Sequence, residues 1–186
     1  MDDQKINKLK VQLAAMLEKE ALKRGNFVLS SGKTSTYYLD GRIITLTPEG
    51  AYLVASIILE MIKGMRISAV GGPTLGADPI VGAVAALSHI NNSPINTFIV
   101  RKAAKEHGMQ RQVEGPQLKK GDRVILVDDV ATTGKALVEA KSALDNIGVV
   151  VDRAIVIVDR HQGAVENLKA VGCALEPIFK IEDLGV

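Results

Sequence analysis

Four short segments constrain this chain more than anything else in it: "ISAVGG", "INTFIV", "DRVILVDD" and "VVVDRAIVIVD". Their apolar residues run together instead of alternating with polar ones. A strand with one solvated face alternates, whereas a strand buried on both faces does not. Between these segments lie stretches with helical spacing, "GADPIVGAVAALSH" and residues 134–146. Buried strands alternating with helices predict an α/β fold, a central, mainly parallel sheet flanked by helices on each side. "GAVENLKAVG" reads as a short helix and "ALEPIF" as a final strand. Upstream, Thr47-Pro48 predicts the start of a helix that runs through Met61 and stops at Gly64. Residues 3–24 place Ile6, Leu9, Leu13, Leu17 and Leu22 near helical spacing before Gly25, which predicts a long amphipathic opening helix. "NFVLSSGKTSTYYLD" reads as strand or extended loop, and residues 101–120 show no apolar period.

Composition narrows the function. The net charge is only +2 and aromatic residues make up 3% with no Trp, which argues against gripping nucleic acid or stacking bases. A 47% hydrophobic content supports a sizeable core. The single cysteine, Cys173, excludes an internal disulfide framework and a multi-cysteine metal site. The first twenty residues lack a basic start followed by an apolar signal core, and no apolar run is long enough to span a bilayer. A cytoplasmic protein is expected, with one domain over 1–186.

In open parallel sheets, ligands bind outside the carboxyl ends of the strands. Polar residues follow the predicted strands there: Gly71-Gly72, Arg101-Lys102, Asp128-Asp129 and Asp159-Arg160. The richest of these clusters lies in "VILVDDVATTGKAL". Ala131, Thr132, Thr133 and Gly134 occupy a strand-to-helix turn, where free backbone amides and the helix dipole favour an anion. The spacing is not that of a Walker A loop, because Ala136 follows Gly134-Lys135 and the earlier glycine is missing. Asp128 and Asp129 would repel a phosphate but accept hydrogen bonds from hydroxyls. A ribose 5-phosphate offers both parts. Successive strand residues point to opposite faces, so one acid alone is expected to touch the sugar directly. The competing reading is an acid pair that caps the helix or holds a metal in a Walker B-like site.

"RKAAKEHGMQRQVEGPQ" puts Arg101, Lys102, Lys105, His107 and Arg111 in a stretch without core positions. A long cationic loop at a strand end suits a lid over a leaving group that gains negative charge, such as pyrophosphate. Read blandly, it is a solvated surface loop. Arg160, after a strand too apolar to be exposed, could fork onto a planar carboxylate; the alternative is a surface ion pair with Asp159. His161 reads as a surface residue.

These motifs carry a resemblance. "VILVDDVATTGKAL" resembles the phosphoribosyl diphosphate (PRPP) signature of the type I phosphoribosyltransferases, and "RKAAKEHG" resembles the catalytic loop of the orotate phosphoribosyltransferases. "FVLSSGKTSTYYLD", "IVIVDRHQGA" and "GGPTLGADP" are similar to that family's orotate-side, arginine and pyrophosphate segments, in the same order. The resemblance implies a type I phosphoribosyltransferase fold: a small N-terminal hood over about 1–45, a core over about 46–186, and a flexible catalytic loop. It implies transfer of phosphoribose from PRPP to orotate in pyrimidine (UMP) biosynthesis. It also implies Mg²⁺ bound mainly through the diphosphate and water, no metal-binding residue of the protein itself, and a homodimer whose loop reaches the neighbouring site. With no decarboxylase-sized extension following, a stand-alone enzyme is expected.

By the same resemblance, Asp128 and Asp129 hold the ribose, and Val130, Ala131, Thr132, Thr133, Gly134, Lys135 and Ala136 hold the 5-phosphate. Arg101, Lys102, Lys105 and His107 reach the pyrophosphate, with Lys102, Lys105, His107, Asp128 and Asp129 as the catalytic set. Thr132, Arg160 and Tyr38 meet orotate, while Tyr37 fits ordinary strand packing nearly as well as ligand contact. The chain departs from the family at Ser30 and Leu75, where many members carry lysine. Lys33 lies close to the first of these, and Thr74 neighbours the second.

Overall fold

The computed structural model describes residues 3–28, 34–102 and 112–186. Five strands run parallel at its centre: β3 (Ala69–Pro73), β4 (Asn96–Val100), β6 (Arg123–Ala131), β7 (Val150–Asp159) and β8 (Ala174–Lys180). With a two-residue strand, β5 (Val113–Glu114), antiparallel on the edge, the sheet order is β5-β4-β3-β6-β7-β8. The unbroken apolar runs are explained by helices on both faces. Ile125, Val127, Ile155 and Ile157 join the core under α3 (Pro48–Met61) and α4 (Ala77–Ile90). Their neighbours Val124, Leu126, Ala154 and Val156 face the opposite core under α5 (Lys135–Asn146) and α6 (Ala164–Ala170). Period two is present, but both phases are apolar because both are buried.

The chain moves outward in one direction from β3 to β4 and returns on the other side of β3 to form β6. This reversal opens a crevice between the carboxyl ends of β3 and β6, the place where doubly wound sheets take ligands. The start of α3 follows the expected chemistry, with Pro48 in its first turn and the Thr47 hydroxyl accepting from the Gly50 amide at 3.1 Å.

The opening helix is shorter than its spacing predicts. α1 (Asp3–Met16) gives way to a π turn (Leu17–Ala21), and Leu22 already begins β1 (Leu22–Val28). β1 pairs antiparallel with β2 (Thr34–Leu39), setting Leu22 opposite Leu39 and Arg24 opposite Tyr37. Helical spacing is a local signal, and pairing with a distant strand overrode it. β5 had no such signal, because two residues show no period; its bonds to Ile99 and Val100 define it. β6 continues past the acid pair to Ala131, which pairs with Asp159. The β1–β2 hairpin and the short helix α2 (Arg42–Thr45) lie over the carboxyl edge of the sheet. Among the described residues no helix is long and apolar enough to cross a membrane.

Candidate active site

The crevice between β3 and β6 widens into a cleft of about 500 Å³. Asp128, Asp129 and Val130 of β6 line it, together with Tyr38, Lys102 and Ala136. A smaller recess of about 180 Å³ adjoins it through Asp128, Val130 and Ala136, and is lined by Ala131, Thr132, Thr133, Gly134 and Lys135. Two compartments sharing a wall suit a ligand with two chemically different ends.

Both acids line the larger cleft, although strand alternation predicted that only one would touch a sugar. Each carboxylate curls onto the next backbone amide: the Asp129 N–H donates to Asp128 Oδ1 at 3.0 Å, and the Val130 N–H to Asp129 Oδ1 at 2.8 Å. Burial raises the Asp128 carboxyl well above its ordinary range, and the Asp129 charge beside it adds to the rise. Asp129 is raised as well, chiefly by burial, while the Val130 amide and the Arg42 charge work in the opposite direction. Two carboxylates held close in a half-buried cleft call for hydroxyl donors or a cation.

The cleft also contains residues that the sequence reading passed over. Asp40 takes a two-pronged contact from Arg42, 2.9 and 3.0 Å, which holds its carboxyl below the usual range. Gly41 packs against Asp129, and Gly76 packs against both acids. A Cβ on Gly76 would fall onto a carboxylate oxygen of each, although the backbone there (φ −62°) suits any residue. The demand is steric rather than conformational. Gly76→Ala is therefore expected to displace the acid pair and lower stability, in line with overpacking costs of roughly 1–3 kcal/mol. Melting curves measure this, and an unchanged melting temperature would show that the pair tolerates displacement. The signal for Asp40-Gly41-Arg42 was its place directly after a strand end.

The recess is built by a conformation only glycine takes readily: Gly134, at φ +72°, turns the chain into α5. Asn167, on α6, donates its side-chain amide to the Thr133 carbonyl at 2.8 Å and so braces the loop from behind. No sequence signal marked Asn167. Lys135 lines the recess and lies 3.7 Å from Glu139. Arg101, at the end of β4, lies 3.6 Å from Glu114 and sits at the rim rather than in the cleft. Lys105, His107 and Arg111, like Ser30 and Lys33, fall outside the described residues.

Arg160 does not line the larger cleft. It follows β7, with its N–H bonded to the Ala131 carbonyl at 2.9 Å, beside the start of the recess. Its guanidinium lies over the Tyr37 ring, 4.8 Å from the centroid, and its Nε donates to the Tyr37 hydroxyl at 3.1 Å. Its Nη2 is buried with no partner among the described residues. The expected alternative, a surface pair with Asp159, is excluded because Asp159 is wholly buried and turns toward His161. His161 is exposed, as expected, and its ring lies between Asp159 and Glu182. The two tyrosines divide their roles. Tyr37 is buried and holds Arg160, while Tyr38 is 40% exposed, lines the cleft and leans on the Phe27 ring at 5.9 Å.

Crevice, acid pair and glycine-built turn lie together at the switch point of a doubly wound sheet, an arrangement that suits a sugar phosphate and a phosphoribosyltransferase. A family model described as "Phosphoribosyl transferase domain" matches residues 45–185, and the chain belongs to that family. Within it, the chain stands with the orotate phosphoribosyltransferases. It is 44% identical over 179 residues to the orotate phosphoribosyltransferase of Nostoc sp., covering 96% of this chain and 86% of that protein. The crystal structure of the Mycobacterium tuberculosis orotate phosphoribosyltransferase with Fe(III) dicitrate superposes with a TM-score of 0.83 at 36% identity, covering 96% of this chain and 99% of the other. The same enzyme in complex with PRPP gives a TM-score of 0.79 at 32% identity, with the same coverage.

Proposed function

We propose that this chain transfers the phosphoribosyl group of PRPP to orotate, giving orotidine 5′-monophosphate and pyrophosphate in pyrimidine biosynthesis. The observation that carries the choice of base is the buried, unpartnered Nη2 of Arg160 beside the start of the phosphate recess. An unsatisfied buried donor costs about 1–3 kcal/mol, and a planar carboxylate would remove that cost while pairing with the charge. Orotate has such a carboxylate; uracil, adenine and hypoxanthine do not. Thr132 and Tyr38 complete the orotate side.

The 5-phosphate fits the recess from Val130 to Ala136, and the ribose 2′ and 3′ hydroxyls fit Asp128 and Asp129. Arg101, Lys102, Lys105 and His107 would meet the diphosphate. The ring nitrogen of orotate attacks the anomeric carbon as the bond to the diphosphate oxygen breaks, and the electron pair leaves with pyrophosphate. Charge neutralisation at the leaving oxygen and exact placement of the reactants lower the barrier, so no strong protein base is called for. Among the described residues no group of three or more His, Cys, Asp or Glu side chains could hold a metal. Asp128 and Asp129 supply hard oxygen donors to a ligand rich in oxygen, a set that fits Mg²⁺ held mainly by diphosphate, ribose and water. The ion would supply further neutralisation of the diphosphate charge.

The chain would act in the cytoplasm as a homodimer whose catalytic loop reaches the neighbouring site. An exposed apolar face beside the cleft, formed by Ile43, Leu46 and Leu75, supports the pairing. The deciding experiment mixes protein, Mg²⁺ and PRPP with orotate and follows the loss of orotate absorbance. Turnover is expected with orotate and not with uracil or hypoxanthine. The reverse preference would overturn the choice of base, and PRPP binding without turnover of any base would overturn catalysis.

A further inference from the structure

We propose that His161 and Glu182 position Arg160 for the base, so that the carboxyl-terminal turn helps to set orotate affinity; this rests on the assignment of Arg160 to orotate. β7 ends on Asp159, whose buried carboxylate accepts the His161 N–H at 3.0 Å. Its other oxygen has no hydrogen-bond partner among the described residues and faces His161 Nε2 at 3.6 Å. His161 takes a left-handed backbone conformation (φ +51°), unusual for a residue other than glycine. Its Nδ1 lies 2.9 Å from Glu182 Oε1, on the 3₁₀ turn Ile181–Leu184.

That turn is held in its own right. The Lys180 N–H donates to Asp183 at 2.8 Å, and Arg24 of β1 donates to the Leu184 and Gly185 carbonyls at 3.3 and 3.1 Å. Arg24 stands opposite Tyr37 in the hairpin ladder, and the Tyr37 hydroxyl receives Arg160 Nε. The contacts close into a ring. Arg160 is held at its side chain by the hairpin and at its backbone by the turn, through the adjoining His161.

Taken singly, the His161–Glu182 contact is too exposed to add much stability, since the two side chains are 40% and 56% accessible. Its value lies in alignment, because a fork-shaped guanidinium meets a carboxylate well only within about 10–20° of the right orientation. Neither residue lines the cleft or the recess, so the effect should fall on one substrate alone.

The test measures KM for orotate and for PRPP separately in the wild type, in His161→Asn, in Glu182→Ala and in the double variant. Asparagine tolerates the left-handed backbone, and Glu182→Ala removes only a surface side chain, so both should fold. Each single variant is expected to raise KM for orotate by about tenfold, as losses of orienting partners do, with KM for PRPP nearly unchanged. The double variant should be no worse than the singles, because both break the same contact. Equal shifts in the two constants, or no shift in that for orotate, would overturn the proposal while leaving the assigned reaction standing. A wild type that does not use orotate would overturn both.

Discussion

Arg160→Leu is expected to lower kcat/KM for orotate by roughly 30- to 1,000-fold, the equivalent of about 2–4 kcal/mol, while PRPP affinity stays close to that of the wild type. The asymmetry follows from position. Arg160 rests on Tyr37 behind the larger cleft, and its free Nη2 is the donor assigned to the base. Leucine fills similar space but leaves a substrate carboxylate facing an apolar wall. Steady-state kinetics with each substrate varied, together with calorimetric titration of PRPP, separates the two effects. Equal losses on both sides would show that the arginine supports the whole site.

Asp128→Asn is expected to move activity and stability in opposite directions. Activity should fall roughly 10- to 100-fold, because an amide oxygen accepts ribose hydroxyls without the charge that strengthens those bonds. The sign for stability follows from the raised carboxyl. In the fold Asp128 holds its proton to higher pH than in the unfolded chain, chiefly through burial and next through the Asp129 charge. Its ionisation therefore opposes folding. The penalty is absent below the ordinary aspartate range, grows as pH rises through the interval up to the raised value, and is complete above it. Asparagine never ionises, so the variant should melt higher than the wild type at pH 8, by about 2–4 °C per kcal/mol recovered, and the gap should narrow in acid. Melting curves across pH test this; a variant that melts lower at pH 8 would mean that ionised Asp128 is stabilised by partners, not strained. A site that stores instability until its ligand arrives is a common feature of catalytic clefts.

The legible parts of this protein share a physical character. The placement of the acid pair and of the strand-to-helix turn at the cleft was readable because residue type and strand-end position together mark both. The turn proved to be the recess, with Gly134 left-handed at its base, and β6 ran on to Ala131. The opening helix was overextended because Leu22 satisfies helical spacing and hairpin pairing equally well, and only the partner Leu39 decides between them. Tyr37 was weighed for ligand contact and for packing, and it packs, on Arg160. His161 lies at the surface, as its sequence position suggests, but its contact with Glu182 has no local signal because that partner lies 21 positions away.

By itself the sequence determined the two-faced sheet, the order of its elements and the polar clusters at the strand ends. Those properties lie in local period and in the identity of adjacent residues. Only the tertiary structure decided that Gly76 presses on both acids, that Asn167 braces Thr133, and that Arg160 leans on Tyr37 across 123 residues of chain. Contacts between distant segments depend on how strands and helices stack, and no repeating pattern along the chain encodes them.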